Sequence, residues 1–402
     1  MVALVSLLLL VASAYVGAGT VLALAGRRRY ERCSRELPRV SIVVAARDEE
    51  ANLPQCLASL ASLDYPQERM EIILVDHASR DRSGELLADF CARHRHAHLV
   101  RVRDGTTALC GKAAAVAAGI ERSSGAIVLM TDADCLVPPT WVRAMVSHFD
   151  RDTGMVCSFT TVTARARGAR GLFVRAQALD WLFLLAAASG AGLVGMPLTW
   201  VGNNLAFRRQ AYDEVGGYRG VGFSLTEDFA LFKAICGSTA WKVRFVRDRR
   251  ALVLTQPARS WRELLHQRLR WAVGGRSVAP PGKVLLALGG GARLLLPLAM
   301  ILAVHHPAAA ALPLAVICTD LVLLGSTCAA LGQRRILGAI IAFEALFASY
   351  VGAGAALLPF LRVLTWKGIS YPLRAPSSPH RVAPQGALAD GSLAAVEQES
   401  WS

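Results

Sequence analysis

The chain has 402 residues, 53% hydrophobic and 18% charged, which is too apolar for an ordinary soluble protein and too charged for one lying wholly in a membrane. Its 44 Lys and Arg against 30 Asp and Glu give a net charge of +14, favouring phosphate-bearing ligands or an anionic membrane face. No aromatic-interleaved basic stripe argues for nucleic acid, and the 9 cysteines form no C-x-x-C pair that would suggest a zinc or redox site.

Residues 1–26 carry no charge and precede Arg27, Arg28 and Arg29; this pattern predicts an uncleaved transmembrane anchor whose positive flank stays in the cytosol. Gly17 and Gly19 form a G-x-G without a third glycine, which is no dinucleotide motif. From Val40 to about Arg250, strand-length apolar runs at 40–46, 71–76, 98–103 and 126–132 alternate with helix-like segments. That alternation predicts an α/β domain with a mainly parallel sheet, binding ligand beyond the carboxyl ends of its strands. Three runs lead into polar clusters there: ARDEE (46–50), DHAS (76–79) and DAD (132–134).

The uncharged run 181–207 is long enough to cross a bilayer. Its Gly and Pro content, the pair Asn203-Asn204 and its place inside the domain favour a membrane-hugging or acceptor-lining segment over a transmembrane hairpin. Spanning helices are predicted around 309–331 and 336–361, while 284–304, with Arg293 and three successive glycines, either spans or lies in the interface. The tail, with Lys367, Arg374 and Arg381, prefers the cytoplasmic side, which requires an even number of crossings after the domain; the count stays open. Residues 376–402 read as disordered.

Asp132 and Asp134 lie on one side of an extended chain and can offer two hard oxygen ligands to Mg2+ or Mn2+; a solvated Asx turn is the plainer alternative. In LTEDFAL, Glu227 and Asp228 stand among apolar residues, where a carboxylate can serve as a general base or cap a helix beginning at Thr226. In HQRLRW, Gln267 and Arg270 lie one helical turn apart, Arg270 suited to phosphate and Trp271 to the face of a sugar ring. An ordinary basic helix at a membrane surface would look similar. GTTALCGKA (105–113) fails as a P-loop, having five residues between its glycines and Ala113 where Ser or Thr is needed, although Lys112 can reach a diphosphate. His94, His96 and His98 read as a solvated basic edge.

In this order, VSIVVAARDEE, ILVDHASRD, TDADC, GNNLAFRR, TED and QRLRW resemble the family 2 inverting glycosyltransferases of GT-A fold, in the membrane-bound branch with a Q-x-x-R-W signature, over residues 38–275. LTWKGISYP (364–372) is similar to W-[KR]-G segments of lipid-modifying members. The resemblance implies a Rossmann-like nucleotide-sugar domain at 38–282, behind the 1–26 anchor, followed by two or three membrane or interfacial helices at 283–363 and a basic, then disordered, tail at 364–402. It implies that Asp76 contacts the uracil of a UDP-sugar and that Arg47, Glu49 and Glu50 help form the nucleotide pocket. Lys112 and Asp132 would face the diphosphate, with the metal on Asp132 and Asp134. Asp228 would be the base, and Gln267, Arg270 and Trp271 the Q-x-x-R-W residues. Asp48 and His77 depart from the residues usual at their positions in such enzymes.

The implied reaction moves one sugar from a UDP-sugar to a lipid hydroxyl, on the cytosolic face of a multi-pass protein of the cytoplasmic membrane. A processive polysaccharide synthase is the alternative enzyme, and a non-catalytic membrane interaction protein the alternative class. No nucleic-acid partner is expected, and homo-oligomerisation stays open.

Overall fold

The computed structural model describes residues 1–28, 30–32, 37–103, 109, 111–164, 166–222, 224, 226–275, 278–366 and 369–372. Arg29, most of the 105–110 loop, Lys367 and the tail from 373, with Arg374 and Arg381, lie outside them. Its strands are β1 (Val40–Ala46), β2 (Met70–His77), β3 (Ala97–Val102), β4 (Ile127–Asp132), β5 (Thr153–Ser158), β6 (Thr160–Val162), β7 (Leu205–Arg208), β8 (Lys242–Val246) and β9 (Val253–Thr255). Between and around them run α1 (Val2–Ala25), α2 (Leu53–Ala61), α3 (Ser83–Arg93), α4 (Lys112–Arg122), α5 (Trp141–Val146), α6 (Gly168–Leu193), α7 (Arg209–Glu214), α8 (Gly217–Val221), α9 (Glu227–Ser238) and α10 (Trp261–Gly274). Then follow α11 (Pro280–Ala303), α12 (Ala311–Leu331) and α13 (Ile340–Leu357).

Seven strands form one sheet in the order β3-β2-β1-β4-β7-β5-β8, parallel except for β7, which runs against both β4 and β5. Strands covered on both faces must be apolar throughout, and VSIVVAA is. Alternate side chains part to the two faces: Val43, Ile73, Val75, Val128 and Met130 pack with α4, α6 and α9, while Ile42, Val44, Ile72, Leu74 and Leu129 pack with α2, α3 and α5. The strand order turns at β1 and β4, creating the crevice where open α/β sheets bind ligands.

Among the described residues, five helices are long and apolar enough to cross a membrane: α1, α6, α11, α12 with the turn before it, and α13 with the turn before it. At 1.5 Å per residue, the 24 residues of α1 extend ~36 Å, more than a hydrocarbon core. The glycines dismissed as a nucleotide motif divide here: a Cβ on Gly19 would lie 2.1 Å from Thr319 Cγ2 of α12, whereas Gly17 faces open space. Gly19 therefore allows the close helix approach that membrane packing favours.

The bundle encloses its charges. Arg293 of α11 pairs with Asp320 of α12 and lies 3.5 Å from Glu344 of α13. Tyr15 of α1 accepts from Arg293 and donates to Asp320, each at 2.6 Å. Charges at membrane depth survive by pairing, and these four side chains tie the four helices together.

Helix α6 differs from the others in that 72% of its most apolar stretch is buried inside the protein, against 17% for α1 and α11. Thr161 of β6 donates to the Ala178 carbonyl early in α6, and a Cβ on Gly192 at its end would lie 2.5 Å from the Phe245 ring of β8. Both stretches of α6 therefore touch the sheet domain, so the helix lies along it instead of crossing away. The apolar run 181–207 resolves into the end of this buried helix, a loop and β7. Separately, β10 (Val363–Trp366) and β11 (Ile369–Pro372), in the LTWKGISYP stretch, pair antiparallel.

Candidate active site

The three polar clusters do meet at one edge. In the sheet register Ala45 stands beside Asp132 and Ala46 beside Asp76, so both carboxylates flank the end of β1. Asp76 accepts from the Ser79 backbone N–H at 3.2 Å and faces Gly84 at the start of α3, where a Cβ would come within 2.8 Å of Oδ2. A side chain at 84 would push into the carboxylate expected to read the base.

The loop after β1 is laced to the loop after β2. Glu49 N donates to Ser83 Oγ at 2.8 Å, Glu50 N to Asp81 Oδ2 at 3.0 Å, and Arg80 N to Asp48 Oδ1 at 2.8 Å. Asp48 (φ +52°) and Ala78 (φ +49°) hold left-handed backbone in these two loops, a conformation Asp and Asn tolerate better than most residues. The Glu50 carboxylate accepts from Arg82 N at 3.1 Å. It is thus engaged in the loop–loop lacing. Glu49 sits nearer the centre: its charge acts on Asp134.

Asp134 lies two residues past the end of β4, in a turn, yet burial alternates from Thr131 through Cys135 so that Asp132 and Asp134 are the partly exposed members. Desolvation, then the like charges of Asp132 and Glu49, push the Asp134 carboxyl up to about 6. Cys135 Sγ lies 3.3 Å from Asp134 Oδ1 as a weak donor.

These carboxylates suit a hard divalent cation. A crowded, poorly solvated pair of acids is what a bound cation relieves, and among the described residues no set of three His, Cys, Asp or Glu side chains forms a complete protein cage. Two carboxylates with the remaining positions left to phosphate oxygens and water is the pattern of Mg2+ and its relatives on nucleotide substrates.

Lys112, at the start of α4, lies at the centre. Its Nζ is 2.6 Å from Asp132 Oδ1 and 3.6 Å from Glu227 Oε1. Burial opposes its charge, but Asp132, Glu227 and Asp228 outweigh that and raise the ammonium well above its ordinary value. Burial raises Glu227 to about 6 against the pull of Lys112, and Asp228 adds to the rise. Asp228 is also raised by burial; Lys112, the N–H groups of Phe229 and Gly202, and Arg270 oppose the shift. Both its oxygens are held, Oδ2 by Gly202 N at 2.5 Å and Oδ1 by Phe229 N at 2.8 Å. The Lys112–Glu227 link is absent from any single sequence motif, since it joins residues 115 apart.

Helix α10 begins at an N-cap, Ser260 accepting from Glu263 N, and its far end packs on the TED segment: a Cβ on Gly274 would lie 2.5 Å from Thr226 Cγ2. The charge of Arg270 reaches Glu227 and Asp228. Gln267 instead accepts from Arg268 Nη1 at 2.6 Å. The Arg268 guanidinium carbon also stands 4.1 Å from the centroid of the Trp271 ring, whose edge-to-face partner is Trp181 at 4.9 Å. One face of Trp271, expected to be a sugar platform, is therefore covered by Arg268.

The family model for glycosyl transferase family 21 matches residues 4–374. The chain belongs to glycosyl transferase family 21. This family is family-2-like, so the resemblance carried by the motifs holds. The probable glycosyltransferase YdaM of Bacillus subtilis is 28% identical over 246 residues, covering 61% of this chain and 57% of that protein. A beta-monoglucosyldiacylglycerol synthase of Synechocystis is 32% identical over 242 residues, 59% of this chain and 48% of that one. The family-21 chain thus spans about half the length of the curated relatives it matches. Among solved structures, a mannosyltransferase of Pyrobaculum calidifontis, in complex with GDP-Man and Mn2+, superposes with a TM-score of 0.54 at 20% identity, covering 88% of this chain and 98% of that one. That likeness shows a GT-A fold for the family-21 chain, and its apolar helices associate it with membranes.

Proposed function

We propose that the protein transfers one sugar from a UDP-sugar to the hydroxyl of a membrane lipid, with inversion at the anomeric carbon. The observation that carries this reading is the convergence of Asp132, Lys112, Glu227, Asp228 and Arg270 in a crevice whose neighbouring layers, α6 and α10, pack on the membrane bundle. A lipid acceptor can then arrive sideways while the nucleotide enters from water. The glucolipid-synthase relative supports the lipid class.

In this reading Asp76 and the laced loops hold the nucleoside, and Asp132 and Asp134 hold Mg2+ or Mn2+. The metal, when bound, supplies charge neutralisation on the diphosphate. Arg270 and Lys112 offset the charge that grows on the departing UDP. Asp228, fixed by two backbone N–H groups, accepts the acceptor proton on the opposite side of the anomeric carbon from the leaving group. Glu227 keeps Lys112 aimed between the two ends of the site.

The division into an anchor at 1–26, a catalytic domain at 38–282 and membrane helices at 283–363 goes with this function. Arg247, just after β8, donates to Ser326 and Thr327 near the end of α12, so α12 returns to the domain side. Arg27, Arg28, Arg334 and Arg335 then share that side, and the 304–310 connection opposite carries no Lys or Arg. The positive-inside rule makes the domain side cytosolic in a multi-pass topology. The mutual pairing of Arg293, Asp320 and Glu344 favours single transfer over polymer export, because those polar groups face each other and not a saccharide channel. NMR of the anomeric proton in the first product tests inversion: a β-linked sugar from an α-linked donor is expected, and an α-linked product would overturn the assignment of Asp228.

A further inference from the structure

Arg268, at a variable position of the Q-x-x-R-W signature, links α10 to α6 and to its own neighbours on the helix. Its Nε lies 2.8 Å from Asp180 Oδ2 of α6, Nη2 binds the same oxygen, Nη1 holds Gln267, and its plane covers Trp271. The other Asp180 oxygen accepts from Tyr350 of α13 at 2.8 Å. The ion pair is buried, with side-chain exposures of 4% and 0%. A buried pair of this kind is often no better for stability than apolar residues of similar volume, so what it contributes most distinctly is fixed geometry. Three further contacts fix the same helix. Gln177 of α6 exchanges two hydrogen bonds with the backbone of Ala258, just before α10. Leu269 lies 3.9 Å from where a Cβ on Gly354 of α13 would stand, and Gly274 abuts Thr226. A membrane helix, α6 and the catalytic carboxylates are thus connected through one helix.

We propose that Arg268 is a positioning residue, which uses the Tyr350–Asp180 strut to seat Gln267, Arg270 and Trp271 against Glu227 and Asp228, so that catalysis depends on α10 being docked on the membrane helix α13. The inference rests on the transferase reading above. It assigns no proton transfer to Arg268. A Lys at this position keeps the charge but cannot bind Asp180 twice, hold Gln267 and stack on Trp271 together.

The test uses full-length protein in nanodiscs, assayed with UDP-glucose, UDP-galactose and UDP-N-acetylglucosamine and a total membrane lipid extract, alongside thermal melts. With whichever donor the wild type turns over, Arg268→Lys should lower kcat about tenfold or more, because small misplacements of catalytic groups are costly, while the donor KM stays within about threefold. Tyr350→Phe, which removes one hydroxyl, should lower kcat in the same sense by about threefold when assayed below its melt, which the unmet Asp180 oxygen lowers modestly. The double variant should match Arg268→Lys alone, since both act through one strut. If Arg268→Lys does not fold, Tyr350→Phe decides by the same kcat criterion. An unchanged kcat in Tyr350→Phe, or single effects that multiply in the double variant, would overturn the inference while leaving the transferase reading intact. A wild type inert with every donor would overturn that reading, and the inference with it.

Discussion

Replacing Asp228 by Asn separates the chemistry from the fold more sharply than the sequence suggests. By size alone Asn is a quiet substitution, but both Asp228 oxygens accept backbone N–H groups, from Gly202 at 2.5 Å and Phe229 at 2.8 Å. An amide has one acceptor oxygen, so its NH2 must face one of those donors. An unmet buried donor costs about 1–3 kcal/mol, which sets the expected loss of stability for Asp228→Asn. Loss of the base is a separate and larger effect, about 10²- to 10⁴-fold in kcat. The two are distinguished by assaying at 20 °C in nanodiscs, below the melt of both proteins, and by measuring UDP affinity calorimetrically. The expected result is a kcat at least about 10²-fold lower at every pH, with UDP affinity within about threefold of wild type. A kcat close to wild type would refute the assignment and move the base to Glu227.

Chelation by EDTA, or Asp134→Ala, should abolish transfer and weaken UDP binding, with Mg2+ or Mn2+ restoring the chelated wild type; full activity in excess chelator would contradict the metal assignment. Lys112→Met leaves Asp132 and Glu227 without their shared cation, so kcat/KM should fall by about 10²-fold, and a change under threefold would contradict its central place. Burial raises Glu227 from 4.5 to about 6, so the folded state binds this proton more tightly than the unfolded chain. Its stabilisation is complete below pH 4.5 and lost as pH rises through 6, about 2 kcal/mol in all. Glu227→Gln should therefore lose less Tm than wild type between pH 5 and 7, whereas parallel curves would refute the shift. Gly19→Leu should destabilise the detergent-solubilised protein by about 1–3 kcal/mol through its clash with Thr319, while Gly17→Leu, facing open space, should not.

The sheet was legible because parallel strands buried on both faces leave continuous apolar runs, and β1, β2, β3 and β4 fall within a residue of those runs. Asp76 and Asp132 were legible because ligands gather at strand ends. Strand β7 was hidden at the end of the apolar run 181–207, where its first three residues, Leu205 to Phe207, have no signature apart from the helix and loop before them. Helix α6 reads as a membrane span for the same reason that it packs between sheet and bundle: apolar surroundings of either kind select the same residues. Gly19 and Arg268 were missed because their partners, Thr319 and Asp180, are 300 and 88 residues away, and neither contact leaves a local period. A carboxylate that laces two loops, as Glu50 does, has the same sequence appearance as one that lines a pocket.

The reaction proposed for this site is single-sugar transfer to a lipid. Mass spectrometry of a reaction containing the purified protein, Mg2+ or Mn2+, the three UDP-sugars and a total membrane lipid extract tests it most directly. The expected result is a discrete lipid product heavier by one sugar residue, formed only when lipid and metal are both present and lost in Asp228→Asn. High-molecular-weight polysaccharide made without lipid, or UDP release with no glycosylated lipid, would contradict it.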